Sequence, residues 1–118
     1  MFFKNLFSTG IFMQLVAASD LKSKHNNEIV KVAGLVTLRQ KPQTAKGVVF
    51  LSLEDETGII NVVCWKKISL SYYKAIISAE LLLVTGRLQI ESGTINIIAS
   101  NIKDISHLLK FLPYLNKP

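Results

Sequence analysis

The side chains in this sequence that could do chemistry are cations, rings and small polar groups. Nothing assembles into a nucleophile with its base. Arg39, Phe50, Ser52 and Asn61 fall in the same alternating phase of three successive apolar runs, with Lys41 and Lys46 in the segment between the first two. A guanidinium or ammonium group pairs with phosphate, an aromatic ring offers a π-face to a base, and hydroxyl or amide groups hydrogen-bond base edges. Such a set suits gripping an anionic, base-bearing strand, not breaking bonds. Arg87 adds a further cation for phosphate. Trp65 is a second ring, either stacking on a base or capping the core, the latter being the more ordinary outcome.

The elements that must position these residues can be read from the alternation. In KVAGLVTLRQ, Val32, Val36 and Leu38 alternate with Lys31, Leu35, Thr37 and Arg39, which places the second set outside. Val49, Leu51 and Leu53 alternate with Phe50, Ser52 and Glu54, and Ile59 to Trp65 repeats the pattern. The sequence therefore predicts strands over 31–40, 48–54 and 59–65. A basic loop with Pro42 and Gly47 joins the first two, and Asp55-Glu56-Thr57-Gly58 turns the chain into the third.

Composition narrows the class. Of 118 residues, 14 are Lys or Arg and 8 are Asp or Glu, a net charge of +6, with 49% apolar residues. That is one domain with a packed core and a bias toward anionic partners. Seven cations against Asp20 and Glu28 lie within residues 1–50, so the bias is concentrated there. Cys64, the single cysteine, excludes an intrachain disulfide and fits a reducing compartment such as the cytoplasm; its inward phase makes it a buried, inert thiol. His25 and His107 lie far apart, and Glu54-Asp55-Glu56 is the one carboxylate cluster, read as turn residues. No cofactor, metal or membrane partner is expected.

Residues 1–19 carry an apolar run, Leu6–Val16, behind Lys4 and before Val16-Ala17-Ala18, which invites a secretion-signal reading. Ser8, Thr9, Gly10 and Gln14 interrupt it, and a helical or loosely ordered lead-in is preferred. Ser19 and Asp20 then predict a helix start, with Asp20–Lys24 as a short helix. After the three strands, Ile68, Tyr72, Tyr73, Ile76 and Ile77 lie at helical spacing and predict one helix over about 69–78, at least one tyrosine ring packing inward. Strands follow over 81–90, bent or bulged at Gly86, and over 94–100, joined by Glu91-Ser92-Gly93. A brief helix over 105–112 stops at Pro113, before a frayed tail.

Three strands, a helix and a two-strand hairpin is the order of an oligonucleotide-binding (OB) barrel, an all-β fold of five strands with one inserted helix and short helical extensions at both ends. The expected organisation is 1–27 as lead-in, 28–105 as barrel and 106–118 as terminal helix and tail. The spacing of Val32, Gly34, Val36 and Arg39, then Gly47, Phe50, Leu53, Asp55, Thr57 and Gly58, resembles nucleic-acid-binding OB domains of the anticodon-binding type. More closely, RQKPQTAKGVVFLSLEDETG, with LLLVTGRLQIESGTINIIASNIKDI behind it, is similar to the C-terminal OB domain of bacterial error-prone polymerases of the C family. The similarity covers roughly 17–110 and makes Ala17–Lys24 resemble that family's lead-in.

The resemblance implies a role for single residues. Arg39, Phe50 and Asn61 stand where anticodon-binding relatives place base-contacting Arg, Phe and amide side chains, with Asn61 a methylene shorter than the usual Gln. Lys41 and Lys46 match the basic first loop that meets single-stranded template in the polymerase relatives. The polymerase's catalytic domains do not fit in 118 residues, so the expectation is a detached, non-catalytic module for single-stranded DNA or RNA. Two alternatives stand beside it: a docking module for replication or repair proteins and, further off, a secreted OB protein.

Overall fold

Alternating apolar residues carry the chain into five strands whose inward sides share one core. In the computed structural model, which describes residues 15–111, they are β1 (Ile29–Gln40), β2 (Val49–Asp55), β3 (Gly58–Cys64), β4 (Leu81–Glu91) and β5 (Thr94–Asp104). They close into a barrel in the order β1-β2-β3-β5-β4. All neighbours are antiparallel except β3 and β5, whose parallel seam is limited to Asn61, Val62 and Val63 against Asn96, Ile97 and Ile98. Closure removes the edges that such apolar strands would otherwise present to other chains.

Val32, Leu53, Ile60, Val62, Val84, Leu88 and Ile97 fill the interior, each at most 1% exposed. Full burial of such a side chain stabilises the fold by about 1.5–3 kcal/mol. Gly86 faces inward opposite Ala99, where β5 comes so close that an added Cβ would stand 2.4 Å from the Ile98 carbonyl oxygen. The glycine is therefore required by space. The expected irregularity falls on the opposite strand, where Ser100 is unpaired and its hydroxyl donates to the Thr85 carbonyl at 3.1 Å. Ser92 and Gly93, with φ of 51° and 80°, make the two-residue hairpin turn between β4 and β5.

Several boundaries differ from expectation. β1 begins at Ile29 and β5 runs on to Asp104, because pairing with β4 continues at both ends. The single helix is two, α1 (Lys66–Ser71) and α2 (Tyr73–Ser78). The break is at Tyr72, whose backbone leaves helical geometry at φ −117° and ψ 27°. Its ring packs against the core and its hydroxyl accepts a hydrogen bond from Asn101 Nδ2 at 2.9 Å. The segment expected as a helix over 105–112 is a 3-10 turn, Ser106–Phe111. The tail beyond it lies outside the described residues, as does most of the run read as a possible secretion signal.

The lead-in also departs from its expected capping. Ala18–Ser23 is a 3-10 turn in which Ser19 and Asp20 lie inside, not at a cap. Its first N–H groups find partners in the β2–β3 turn instead: Ala18 N donates to Asp55 Oδ2 at 2.8 Å and Ser19 N to Thr57 Oγ1 at 3.0 Å. Asp55 Oδ1 meanwhile accepts from the N–H and hydroxyl of Thr57, both at 2.7 Å, and from Gly58 N at 3.1 Å. One carboxylate thus closes its own turn and pins a segment 37 residues away. Leu21 completes the junction by burying its side chain in the core.

Candidate nucleic-acid interface

Pairing register places side chains on the outer face of β1, β2 and β3 in three rows. Leu35, Glu54 and Ile59 form one, Leu38, Ser52 and Asn61 the next, and Gln40, Phe50 and Val63 the third. Directly opposed residues in a sheet point to the same side. Phe50, Ser52 and Asn61 therefore meet on one face, as expected. Phe50 is 38% exposed with its ring at the surface. A shallow groove of about 180 Å³ runs among Leu38, Gln40, Phe50, Ser52, Asn61 and Asn96.

Arg39 does not join them. Between Val36 and Leu38 the register slips by one residue, leaving Thr37 as a β-bulge whose hydroxyl donates to the Ser52 carbonyl at 3.2 Å. Beyond a bulge the alternation inverts. Leu38, expected inside, is 48% exposed, and Arg39, expected on the face of Phe50, pairs with the buried Leu51 and is exposed at the other side, at the end of the strand. Its guanidinium reaches the end of α2, where Nε donates to the Ile76 carbonyl at 2.6 Å and an Nη donates to the Ala79 carbonyl. These are carbonyls that a helix end leaves unpaired. The place on the face that the sequence reserves for the guanidinium is held by Gln40 and Leu38.

The two lysines of the β1–β2 loop flank this face. The loop contains a 3-10 turn, Gln43–Ala45, after which Lys46 and Gly47 take positive φ of 37° and 87°. Gly47 is fixed by the buried Ser69 of α1, whose hydroxyl donates to its carbonyl at 2.5 Å. At the other end, Lys41 Nζ stands 5.6 Å from the centroid of the Tyr73 ring, a cation–π contact. Lys41 and Lys46 are thus exposed cations on an anchored loop. Trp65 follows β3 directly and is 55% exposed, so it does not cap the core; the chain turns into α1 there and leaves the indole outside.

Arg87 lies elsewhere. It faces outward on β4, opposite Ile98 of β5 and Ile29 of β1, two strands round the barrel from Phe50. Its Nη1 donates to Asn27 Oδ1 at 2.9 Å. In its place the fold contributes residues the sequence does not single out. Asn96 pairs with Asn61 across the parallel seam, and Gln89 pairs with Asn96 in turn. Their outward phase follows from the alternation of Ile95, Ile97 and Ala99, but their neighbours are set only by closure.

The remaining candidates for chemistry are structural. Cys64 is fully buried, and burial pushes its thiol up to about 12, far from nucleophilic. Among the described residues no group of three or more His, Cys, Asp or Glu side chains is placed to hold a metal ion. None of the helices among those residues is long and apolar enough to cross a membrane. A second groove, of about 430 Å³, borders Leu15, Lys31 and Thr85; two of its three charged residues, Lys24 and Glu28, pair with each other at 3.9 Å.

Known proteins agree with this architecture. The family model for OB-fold nucleic acid binding domains matches residues 30–105. An error-prone DNA polymerase from Saccharophagus degradans is 50% identical over 91 residues, which cover 77% of this chain and 9% of that protein. Error-prone DNA polymerase 1 from Rhizobium meliloti is 40% identical over 98 residues, covering 83% and 9%. The chain thus spans 9% of the length of these two curated relatives. Among solved structures, asparaginyl-tRNA synthetase from Pyrococcus horikoshii superposes with a TM-score of 0.66 over 79% of this chain and 23% of that one, at 20% identity. The S. pombe Stn1-ten1 complex gives 0.56 over 65% and 57%, at 17% identity. At such identities the likeness to the solved structures is one of fold.

Proposed function

The chain belongs to the family of OB-fold nucleic acid binding domains, and from that premise we propose that it is a non-catalytic module holding a single strand, DNA in the first instance, across the outer face of β1, β2 and β3. The observation that carries this is the grouping of Phe50, Ser52 and Asn61 round one groove. A ring, a hydroxyl and an amide can engage bases there, while Lys41 and Lys46 meet phosphates from the flanking loop. Stacking on an exposed ring is worth about 1–3 kcal/mol per base and tolerates any sequence. Two exposed lysines add a salt-sensitive term. The similarity to error-prone DNA polymerases favours DNA over RNA.

A titration of the full chain with fluorescent oligo-dT at several ionic strengths tests the reading. Log affinity should fall linearly with log salt, at a slope of about 0.7 per phosphate neutralised. A folded protein that shows no salt-dependent binding, even at low ionic strength, would remove the proposal.

One observation favours a second reading, a docking module for another protein. Leu70, Tyr73 and Ile77 recur at helical spacing and are 66%, 49% and 49% exposed, an apolar stripe away from the groove. Binding through it would be insensitive to salt and would survive substitution of Phe50.

A further inference from the structure

We propose that the bound strand continues past β3, over the parallel seam onto β5 and β4, where the carboxamides of Asn96 and Gln89 read its bases. This rests on the nucleic-acid reading above and extends it to a base-selective track. Ser52, Asn61, Asn96 and Gln89 are successive partners in register and so form one outward row across four strands. At about 4.8 Å per strand the row is about 14 Å long. The groove beside Phe50 already reaches Asn96, so the extension is continuous with the interface described.

The hydrogen-bonding state of the side chains separates Asn61 and Asn96 from the other described asparagines, while Gln40, beside the same groove, is unengaged like Gln89. Asn26 Oδ1 accepts from the N–H of Ile90, Asn27 Oδ1 from Arg87, and Asn101 Nδ2 donates to the Tyr72 hydroxyl. These three hold the fold together. Among the described residues, the side chains of Ser52, Asn61, Asn96 and Gln89 make no hydrogen bond to the rest of the protein. Three unengaged carboxamides and a hydroxyl in one row are a run of donors and acceptors directed at whatever lies above it. No Lys or Arg stands in the row, so it offers little to phosphates and more to the hydrogen-bonding edges of unstacked bases. A carboxamide presents a donor and an acceptor at fixed spacing, so it discriminates among edges in a way that a π-face does not.

The test is a titration of the ¹⁵N-labelled full chain with homopolymers dT, dA and dC of about 12 nucleotides, within the span an OB fold covers. The side-chain amide signals of Asn61, Asn96 and Gln89 are expected to shift together with the backbone of Phe50, while the Asn101 amide stays in place. Affinities should differ among the three homopolymers. Asn96→Ala should lower the tightest about fivefold and the weakest far less, as loss of one hydrogen bond implies. Phe50→Ala should lower all three alike. If Phe50 responds but the Asn96 and Gln89 amides do not, or if Asn96→Ala weakens all homopolymers equally, the extended track is wrong and the interface on β1–β3 stands. If no homopolymer moves Phe50 at low salt, both readings fall.

Discussion

Arg39 Nε donates a 2.6 Å hydrogen bond to the carbonyl oxygen of Ile76, so the end of β1 is fastened to the end of α2 across 37 residues of chain. A side chain so engaged acts on stability before it acts on a ligand. Arg39→Ala should lower unfolding free energy by about 1–2 kcal/mol, the range for a partly exposed charge-assisted bond. Arg39→Lys should recover little, because one ammonium cannot span the two carbonyls as the fork does. Urea unfolding measures both. The salt slope of strand binding should stay at its wild-type value. A slope shallower by about 0.7 with stability unchanged would make Arg39 a phosphate contact after all.

Phe50 and Lys46 are expected to fail differently. Phe50→Ala should weaken single-strand binding by about 1–3 kcal/mol at every salt concentration, since stacking releases few counterions. Lys46→Ala should matter mainly at low salt and should shallow the slope by about 0.7. Circular dichroism checks that the barrel is intact in both. Phe50 and Lys46 are both exposed, and alanine at 46 keeps the Cβ that Lys46 already carries at positive φ, so both variants should pass that check.

Gly86→Ala should be among the more damaging of the small substitutions. The new methyl would press on the Ile98 carbonyl and the Ile97 side chain, and overpacking of this kind costs about 1–3 kcal/mol. Gly93 offers the contrast. Its φ of 80° disfavours alanine but nothing lies within 4 Å of an added Cβ, so Gly93→Ala should cost about 1 kcal/mol through backbone strain alone. Equal midpoints for the two variants in denaturant would contradict the close approach of β5.

Acid should loosen the C-terminal turn. The Ser106 hydroxyl and then its backbone N–H, at 2.5 and 2.9 Å, hold the Asp104 carboxyl below its ordinary 3.8, with His107 adding a smaller share. Because the folded value is depressed, this stabilisation is complete above 3.8 and is lost as pH falls through the folded value. Ser106 Oγ also accepts from the N–H groups of Glu80 and Leu81, so the start of β4 shares the effect. The Tm difference between wild type and Asp104→Asn should be present near about pH 7 and shrink only once pH falls below the ordinary 3.8 and through the depressed folded value. The gap will be small, as the group is largely exposed.

The sequence reveals much of this fold because a half-buried strand writes its orientation residue by residue. Phe50, Ser52 and Asn61 could be assigned to one face from alternation alone, and Asp55 to its turn from Asp-x-Thr-Gly. Thr37 could not be identified as a bulge. An extra residue opposite one partner leaves no mark in Val-Thr-Leu-Arg-Gln, yet it inverts the face of everything after it. The break at Tyr72 is equally silent, since the apolar spacing runs through it. Asn61 and Asn96 are a third case. Each is legible as outward, but their adjacency depends on how the barrel shuts, which no local pattern encodes.

That shutting has a consequence for how the module comes into being. The seam joins Asn61–Val63 to Asn96–Ile98 by three residue pairs, against ten between β4 and β5. Its partners are separated by 35 residues of chain, so they can meet only after β4 and β5 have been made. The row that would hold a strand is thus a late product of folding, absent from any nascent chain that ends before β5. A strand lying across the seam would act as an outside stitch on the weakest join. The fold should then tighten with the length of strand it carries, beginning with oligonucleotides long enough to run from Phe50 on β2 over the seam to Asn96 on β5.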